Sequence, residues 1–395
     1  MSSNTVRFLS FLFLTASVLR AEAPIDGGLA QQQPVTPGEI EQLKRQIEAE
    51  KSSNVEVFSE YHTRSGDINS QLDLFRYGVR LNVRIGDAHL LASGSRTSYR
   101  TTDDILTATG TNVSLGLLKP LSESAETRIE VGLTQFSTSA TTVTGLGSLT
   151  LKPSEKLRYS ITLARSNVEE SLLSAAGIQP VVGPFGGSLV GLVLENRLTA
   201  SGSYRLPSHF DVFGEAGIGN REGDQVASNA FRRAGGGVGY NAVARGEEES
   251  VSLVRLSASA YYFGFDKDLF GFGGASLLDE RGLRVPLNDL GSDGFPTVPT
   301  GGLPGVGGYF SPASFVSGVG RLDVRGRPDA SFDYKVAGFL GVQTYTGSSS
   351  RPVVGVSGEF ALRLGTRLSL PVSLSWDNVG PFHQFSVTAR LSSQF

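Results

Sequence analysis

The chain of 395 residues has no cysteine, which excludes disulfide staples and removes most zinc sites. It has only four histidines, His62, His89, His209 and His383, and no G-x-S-x-G elbow, so the usual hydrolytic constellations lack their parts. Neither sign of charge dominates. Thirty-five Lys and Arg against 38 Asp and Glu leave a net −3, which gives no reason to propose nucleic acid as a partner. No apolar run approaches the ~20 residues of a membrane-spanning helix. That absence does not exclude a membrane, because barrel strands hide in alternating segments of near-neutral hydropathy.

Such alternation is what the chain does contain. In its last stretch Phe385, Val387, Ala389, Leu391 and Phe395 share one parity, interrupted only by Ser393. Gln384, Ser386, Thr388, Arg390, Ser392 and Gln394 hold the other, all of them polar. A period of two with one apolar and one wet face is a β-strand. Ordinary sandwich strands share that period, but a final strand ending on a bare phenylalanine is the form in which outer-membrane barrels present themselves to their assembly machinery. Phe395 is thus the expected assembly signal.

The beginning of the chain fits export. Residues 1–23 read as a secretory signal, with Arg7 as the positive start, an apolar run over 8–19 and Ala21-Glu22-Ala23 as a small-x-small cleavage site. Residues 24–52 form a Gln/Pro/Gly-rich linker and one amphipathic helix over 36–51. Thr36-Pro37-Gly38-Glu39 supplies its capping box, and Ile40, Leu43 and Ile47 its thin apolar stripe. This segment is expected in the periplasm.

Residues 53–395 divide into sixteen alternating segments. The first starts near Val55, and the others cover 75–85, 88–100, 111–118, 126–137, 142–151, 157–166, 189–205, 209–219, 230–243, 250–264, 313–324, 331–345, 353–364, 367–376 and 382–395. Short turns such as Gly86-Asp87, 152–155 and Gly365-Thr366 follow the even-numbered segments. Longer loops, above all 167–188 and 265–308, follow the odd ones. This is the asymmetry of an all-β, transmembrane antiparallel barrel with turns in the periplasm and loops outside. Gly235-Gly236-Gly237-Val238-Gly239 lies in a strand context, so it relieves crowding in a curved strand rather than cradling phosphate.

A charge on the lipid face costs about 2–4 kcal/mol at the bilayer midplane for Arg or Lys, so charged residues must point inward. Parity assigns to the lumen Arg76, Arg80, Arg84, Arg128, Glu130, Arg158, Glu195, Arg197, Asp211 and Glu215. Arg255, Arg321, Asp323, Asp333, Lys335, Glu359, Arg363 and Arg390 complete the set. Both signs are mixed, as suits a neutral, hydroxyl-rich solute; opposing charges also pair simply to hold a barrel's shape. About sixteen strands leave an aqueous channel too wide for side chains to fill.

Two stretches carry a family likeness. Gly307-Gly308-Tyr309-Phe310-Ser311-Pro312 resembles the G-G-Y-F-S-P signature of the C-terminal porin domain of the bacterial cellulose synthase C-subunit family. Arg165-Ser166-Asn167-Val168-Glu169-Glu170-Ser171-Leu172-Leu173-Ser174-Ala175-Ala176-Gly177 is similar to that family's R-x-(3–4)-D-S-x-x-S-x-x-G segment, with Glu170 where aspartate is usual. The resemblance spans roughly 120–395. It implies a sixteen-stranded outer-membrane barrel through which a nascent cellulose-like β-glucan leaves the cell, with no cofactor and no catalysis. Its expected partners are outer-membrane lipid, the polysaccharide cargo, the barrel assembly machinery and a periplasmic scaffold or synthase complex. Members of the family carry tetratricopeptide repeats before the barrel; here only the 36–51 helix occupies that place. Tyr309 and Phe310 are expected at the membrane interface, as anchors or as stacking surfaces for sugar rings. A general diffusion porin and a structural or adhesive barrel share the same patterning and stand as the alternatives.

Overall fold

In strand β2 (Asp73–Ile85), Phe75, Tyr77, Val79, Leu81 and Ile85 are exposed while Arg76 and Arg80 sit inside, so the apolar face looks outward. The same inversion recurs in β4 (Thr107–Ser122), where Val113, Leu115 and Leu117 project out and Ser114 is buried within. Apolar side chains gain roughly 1.5–3 kcal/mol each on leaving water, so a sheet with this outer face is stable only in hydrocarbon. The computed structural model describes residues 53–395 except 67–71, 102–106, 178, 180–186, 245–249, 268–275, 279–283, 287–308 and 366. The expected signal segment, linker and helix over 36–51 lie outside the described residues, as do Gly307 and Gly308.

The remaining barrel strands are β1 (Asn54–Gly66), β3 (Ala88–Arg100), β5 (Ala125–Phe136), β6 (Thr141–Ser154), β7 (Leu157–Asn167), β8 (Gly191–Arg205), β9 (Phe210–Asp224), β10 (Val226–Ala244) and β11 (Leu253–Phe265). They continue with β12 (Phe315–Asp329), β13 (Phe332–Tyr345), β14 (Arg351–Arg363), β15 (Leu368–Asp377) and β16 (Phe382–Gln394). Each strand pairs antiparallel with its chain neighbours, and β16 returns to β1 in register from Asn54↔Gln394 to Gly66↔Phe382, which closes the barrel. Phe395 sits just past that seam, 63 % exposed, and its N–H donates to the Ser53 carbonyl at 2.9 Å. A separate ribbon pairs Ser276–Leu278 with Arg284–Pro286.

The expected boundaries shift where both faces of a strand are polar. Residues 220–229, read as a loop, continue the β9–β10 ladder from Phe231↔Gly219 to Val226↔Gly223, and Gln225 alone, at φ +56, turns the hairpin. This hairpin rises beyond the apolar band, so alternation gives no signal there. The loop asymmetry is also narrower than expected. At the end bearing both strand termini the links are short, apart from 245–252; at the other end only 168–190 and 266–314 are long. We call these the terminus end and the loop end. Glycines in β10 make room inside the wall. A Cβ at Gly237 would meet the Phe213 ring at 2.7 Å, and one at Gly239 would meet Arg255 at 2.5 Å and Asp211 at 2.6 Å.

Candidate functional site

The loop end of the lumen is occupied by the chain itself. After β7 the segment 168–177 turns inward and forms one short helix, α1 (Leu172–Ala176). Ser171 caps it by accepting the Ser174 N–H at 3.0 Å, while Ser174 Oγ accepts the N–H groups of Ser171 at 2.8 Å and Glu170 at 3.1 Å. These buried hydroxyls satisfy donors that a helix start leaves orphaned. Leu172, Ala175 and Ala176 pack against Leu74, Tyr99, Ala108 and Phe136 on the inner wall of β2–β5. The amino-acid pattern gives no sign of this helix, since five residues are too few for a period to show. Gly191, at φ +94, admits the backbone so closely that a Cβ would lie 2.2 Å from the Leu173 carbonyl oxygen.

A second stretch enters from before β12. Tyr309 and Phe310 are 7 % and 4 % exposed and lie inside the barrel. They are therefore not interfacial anchors, nor do they offer open faces for stacking sugar. Phe310 packs edge-on against Phe263, Tyr345 and Phe382 with ring centroids 6.0, 5.3 and 5.7 Å away. Phe263 stacks on Phe315 at 4.8 Å. Burying these rings outweighs exposing them on the rim, where aromatics are expected from sequence patterning alone. Burial also pushes the Tyr309 phenol up to about 12.

Ions join the two segments to the wall. The Glu170 carboxylate, 2 % exposed, pairs with Arg221 of β9 and accepts the Phe310 N–H at 2.8 Å. Its carbonyl accepts Arg64 Nη1 of β1 at 2.9 Å, and Arg64, fully buried, lies 3.8 Å over the Phe382 ring. Arg221 also pairs with Glu195 at 2.8 Å, and Glu195 with Arg197 at 2.6 Å. On the opposite side Glu169 takes the Arg76 guanidinium and the Tyr99 hydroxyl, the latter at 3.0 Å. Buried charge is tolerable only when matched this closely. The two segments that carried the family likeness thus meet at Glu170.

The charged residues assigned to the lumen occupy inward positions, and most of them are paired. Arg80 reaches Glu56 at 2.7 Å, Arg128 reaches Glu130 at 2.7 Å, and Arg321 reaches Asp323 at 2.8 Å. Arg255 pairs with Asp211, Arg363 with Asp333 at 2.8 Å, Lys335 with Glu359 at 3.7 Å and Arg233 with Glu215 at 3.8 Å. Arg84, Arg158 and Arg390 share the inward parity: Arg84 donates to the Gly86 carbonyl at 2.9 Å, Arg158 registers with buried Ser203, and Arg390 with buried Phe58. Hydroxyl pairs complete the wall, Ser93 with Ser114 at 2.7 Å, Ser160 with Ser201 at 2.8 Å and Ser375 with Ser386 at 2.7 Å. Glu60, Arg64, Arg221 and Arg233 were not among the residues expected there. For Arg221 no signal was present, because both faces of its stretch are polar. Parity extended through β1 would have found Glu60 and Arg64. His383 stacks outward on Trp376 at 6.5 Å while His62 lies on the inward parity of β1. Among the described residues no group of three or more His, Cys, Asp or Glu is placed to hold a metal.

A closed antiparallel barrel with an apolar outer face and a charged, hydroxyl-lined lumen is an integral outer-membrane protein. Residues 69–274 match the family described as cellulose synthase operon protein C C-terminus, and the chain belongs to that family. The match begins earlier than the likeness read from motifs and stops before Tyr309, so Glu169 and Glu170 lie within it and 307–312 outside it. No curated protein sequence matches the chain. Among solved structures, one titled bacterial polysaccharide outer membrane secretin superposes with a TM-score of 0.57 at 9 % identity, covering 87 % of this chain and 99 % of that one. CdiB from Acinetobacter baumannii gives 0.43 at 10 % identity over 86 % and 60 % of the two chains. The CymD monoaromatic hydrocarbon channel gives 0.42 at 10 % identity over 94 % and 96 %. At these identities the likeness is one of fold.

Proposed function

We propose that the protein conducts a nascent exopolysaccharide, a cellulose-like β-glucan or close analogue, from the periplasm to the cell exterior. The polymer enters at the terminus end and leaves through the loop end. The observation that carries this reading is the division of a family barrel into a polar lumen and an exit closed by in-folded segments that rings and ion pairs hold to the wall. Paired serines offer a sliding sugar chain hydrogen bonds that can be exchanged with water at little cost. The α1 segment and the Tyr309–Phe310 segment stand across the exit and must move aside for a polymer. Between polymers they keep the envelope sealed. The fold neighbour titled as a polysaccharide secretin supports the same direction. The driving force comes from elsewhere, from a synthase and a periplasmic scaffold, and Phe395 serves barrel assembly.

Planar-bilayer conductance of the refolded chain, with cello-oligosaccharides added from the terminus side, tests this. Blocking that strengthens with oligomer length is the expected result. A large steady conductance indifferent to oligosaccharides would make it a general porin. No current in any condition, Glu170→Ala included, would leave only a structural barrel.

A further inference from the structure

The lumen wall differs from one side to the other. Over β3–β8 inward serines pair with each other, as Ser93 with Ser114 and Ser160 with Ser201. Over β9–β14 three aromatic rings line the wall, each laid sideways onto a glycine of the neighbouring strand. Phe213 of β9 registers with Gly237 of β10, and a Cβ there would meet the ring at 2.7 Å. Tyr261 of β11 covers Gly235 of β10 in the same way, with its ring 2.6 Å from the place a Cβ would take. Phe339 of β13 covers Gly355 of β14, where a Cβ would run into the ring edge. The missing Cβ lets each ring lie along the wall instead of standing into the channel, which turns a face toward the lumen.

Ser257 and Ser259 of β11 lie among these rings. Ser259 is in register with Gly237, and Ser257 with Arg321, which is itself opposite Phe339. All five side chains are partly buried, so each keeps some of its surface open. Three matched ion pairs frame the patch, Asp211 with Arg255, Glu215 with Arg233 and Asp323 with Arg321. Arg255 stands 5.5 Å from the Phe213 centroid, well beyond the 3.9 Å at which Arg80 covers Phe58. Tyr261 and Phe339 also pack against the aromatic cluster that holds Phe310, so the patch reaches the underside of the closed exit.

We propose that Phe213, Tyr261 and Phe339, with Ser257 and Ser259 among them, form a glycan-stacking site that takes the C–H faces of a β-linked pyranose chain. The proposal deepens the conduit reading above and rests on it. A pyranose with equatorial substituents has two faces of C–H groups and a rim of hydroxyls. The negative face of an aromatic ring attracts the C–H groups, and the serine hydroxyls meet the rim. Since the rings lie on one side only, the chain is held by one face and led along β9–β14 to the exit. Covering a bare glycine also stabilises a sheet, so the test must separate binding from stability.

Binding of cellohexaose to the refolded full chain is measured by titration calorimetry, beside the heat-induced gel shift of each variant. Phe213→Leu and Phe339→Leu should each weaken binding about fivefold, the scale of one aromatic contact. Phe339→Tyr keeps the ring and should bind as the parent does. Phe58→Leu is the control, because that lumen ring is 4 % exposed and already covered by Arg80, and it should leave the affinity unchanged. In the unaltered chain, saturating the aromatic protons should transfer magnetisation to the ring C–H protons of the bound sugar. Equal affinity in the parent and both leucine variants, or no transfer to a bound oligomer, would overturn the site and leave the conduit standing. A loss in Phe58→Leu as large as in the other two would overturn it as well. Polyethylene glycol of equal length binding as tightly as cellohexaose would overturn the sugar assignment. No binding of cellohexaose by the unaltered chain would remove the site and the conduit reading together.

Discussion

Glu170→Ala removes a side chain that ties the two in-folded segments together. Its loss strands the Phe310 N–H inside the barrel, a penalty of about 1–3 kcal/mol for a buried donor. It also deletes a charge-assisted contact to Arg221, worth about 1.5–3 kcal/mol. Arg221 keeps Glu195 at 2.8 Å, so no buried cation is left without an anion and the loss stays near the lower bounds. A figure of about 3 kcal/mol, at the low end for breaking a buried ion pair, shifts an open–closed equilibrium by about two orders of magnitude. No barrel hydrogen bond is touched, so the loosening is confined to the exit. Single-channel recording should show open probability rising about 100-fold, and limited proteolysis should cut residues 168–190 far faster. The heat-induced gel shift of the barrel should stay where it is. Glu170→Gln retains an acceptor for the Phe310 N–H and should fall between. Open probability and cleavage within twofold of the parent, in a variant that refolds, would show that Glu170 does not hold the exit shut.

The second latch is weaker. Glu169 and Arg76 retain about a quarter of their exposure, so Glu169→Gln should cost about 1 kcal/mol and raise open probability only several-fold in the same recording. Gly191→Ala forces a side chain onto a φ of +94 and into the Leu173 carbonyl, and should undock α1 at a cost of about 2–3 kcal/mol, seen as protease cleavage near 172–177 with the barrel intact. On the lipid face, Leu340→Arg at a residue 72 % exposed should destabilise the folded barrel in bilayers by about 2–4 kcal/mol in a denaturant titration, whereas Leu340→Ala should cost far less. The Tyr309 phenol, raised to about 12 by burial, favours the neutral form when folded. Its contribution is complete below pH 10 and is lost as pH rises through 12, so exit opening should increase over that window and Tyr309→Phe should remove that part of the increase.

Much of the barrel is legible because lipid imposes a strict rule. On β2 every second residue must tolerate hydrocarbon, so Phe75, Tyr77, Val79 and Leu81 declare both strand and face, and Arg76 and Arg80 declare the lumen. Where lipid stops, the rule stops. The hairpin around Gln225 reads as loop because Arg221 faces in and Glu222 faces out, and neither parity is apolar. The exit was legible only as two motifs, without their meeting point. Nothing in the spacing of Glu170 and Phe310, 140 residues apart, says that a carboxylate on one caps a backbone N–H on the other. Tyr309 and Phe310 were misplaced for a related reason. Aromatics near a strand start suit the membrane rim, and only the packing of Phe263, Phe315, Tyr345 and Phe382 shows that a larger apolar contact was waiting inside.

The two charge regimes of the lumen follow from where water reaches. At the loop end Arg64, Arg221 and Glu170 are almost wholly enclosed, and an unmatched charge there would cost several kcal/mol, so Glu170 and Glu195 meet guanidinium groups, while buried Asp377 is held by two hydrogen bonds from Gln384 at 2.9 Å. Near the terminus end the paired Arg255 and Lys335 keep part of their exposure, so solvent shares in balancing their charge. The same difference explains why the exit is held by ions as well as rings. A purely apolar plug gains more the more tightly it packs, and has nothing to offer water when it opens. Glu169 and Glu170 do, because a carboxylate leaving Arg76 or Arg221 is immediately hydrated, and Arg221 falls back on Glu195. Opening then trades one set of charged contacts for another, which is how a buried latch remains reversible.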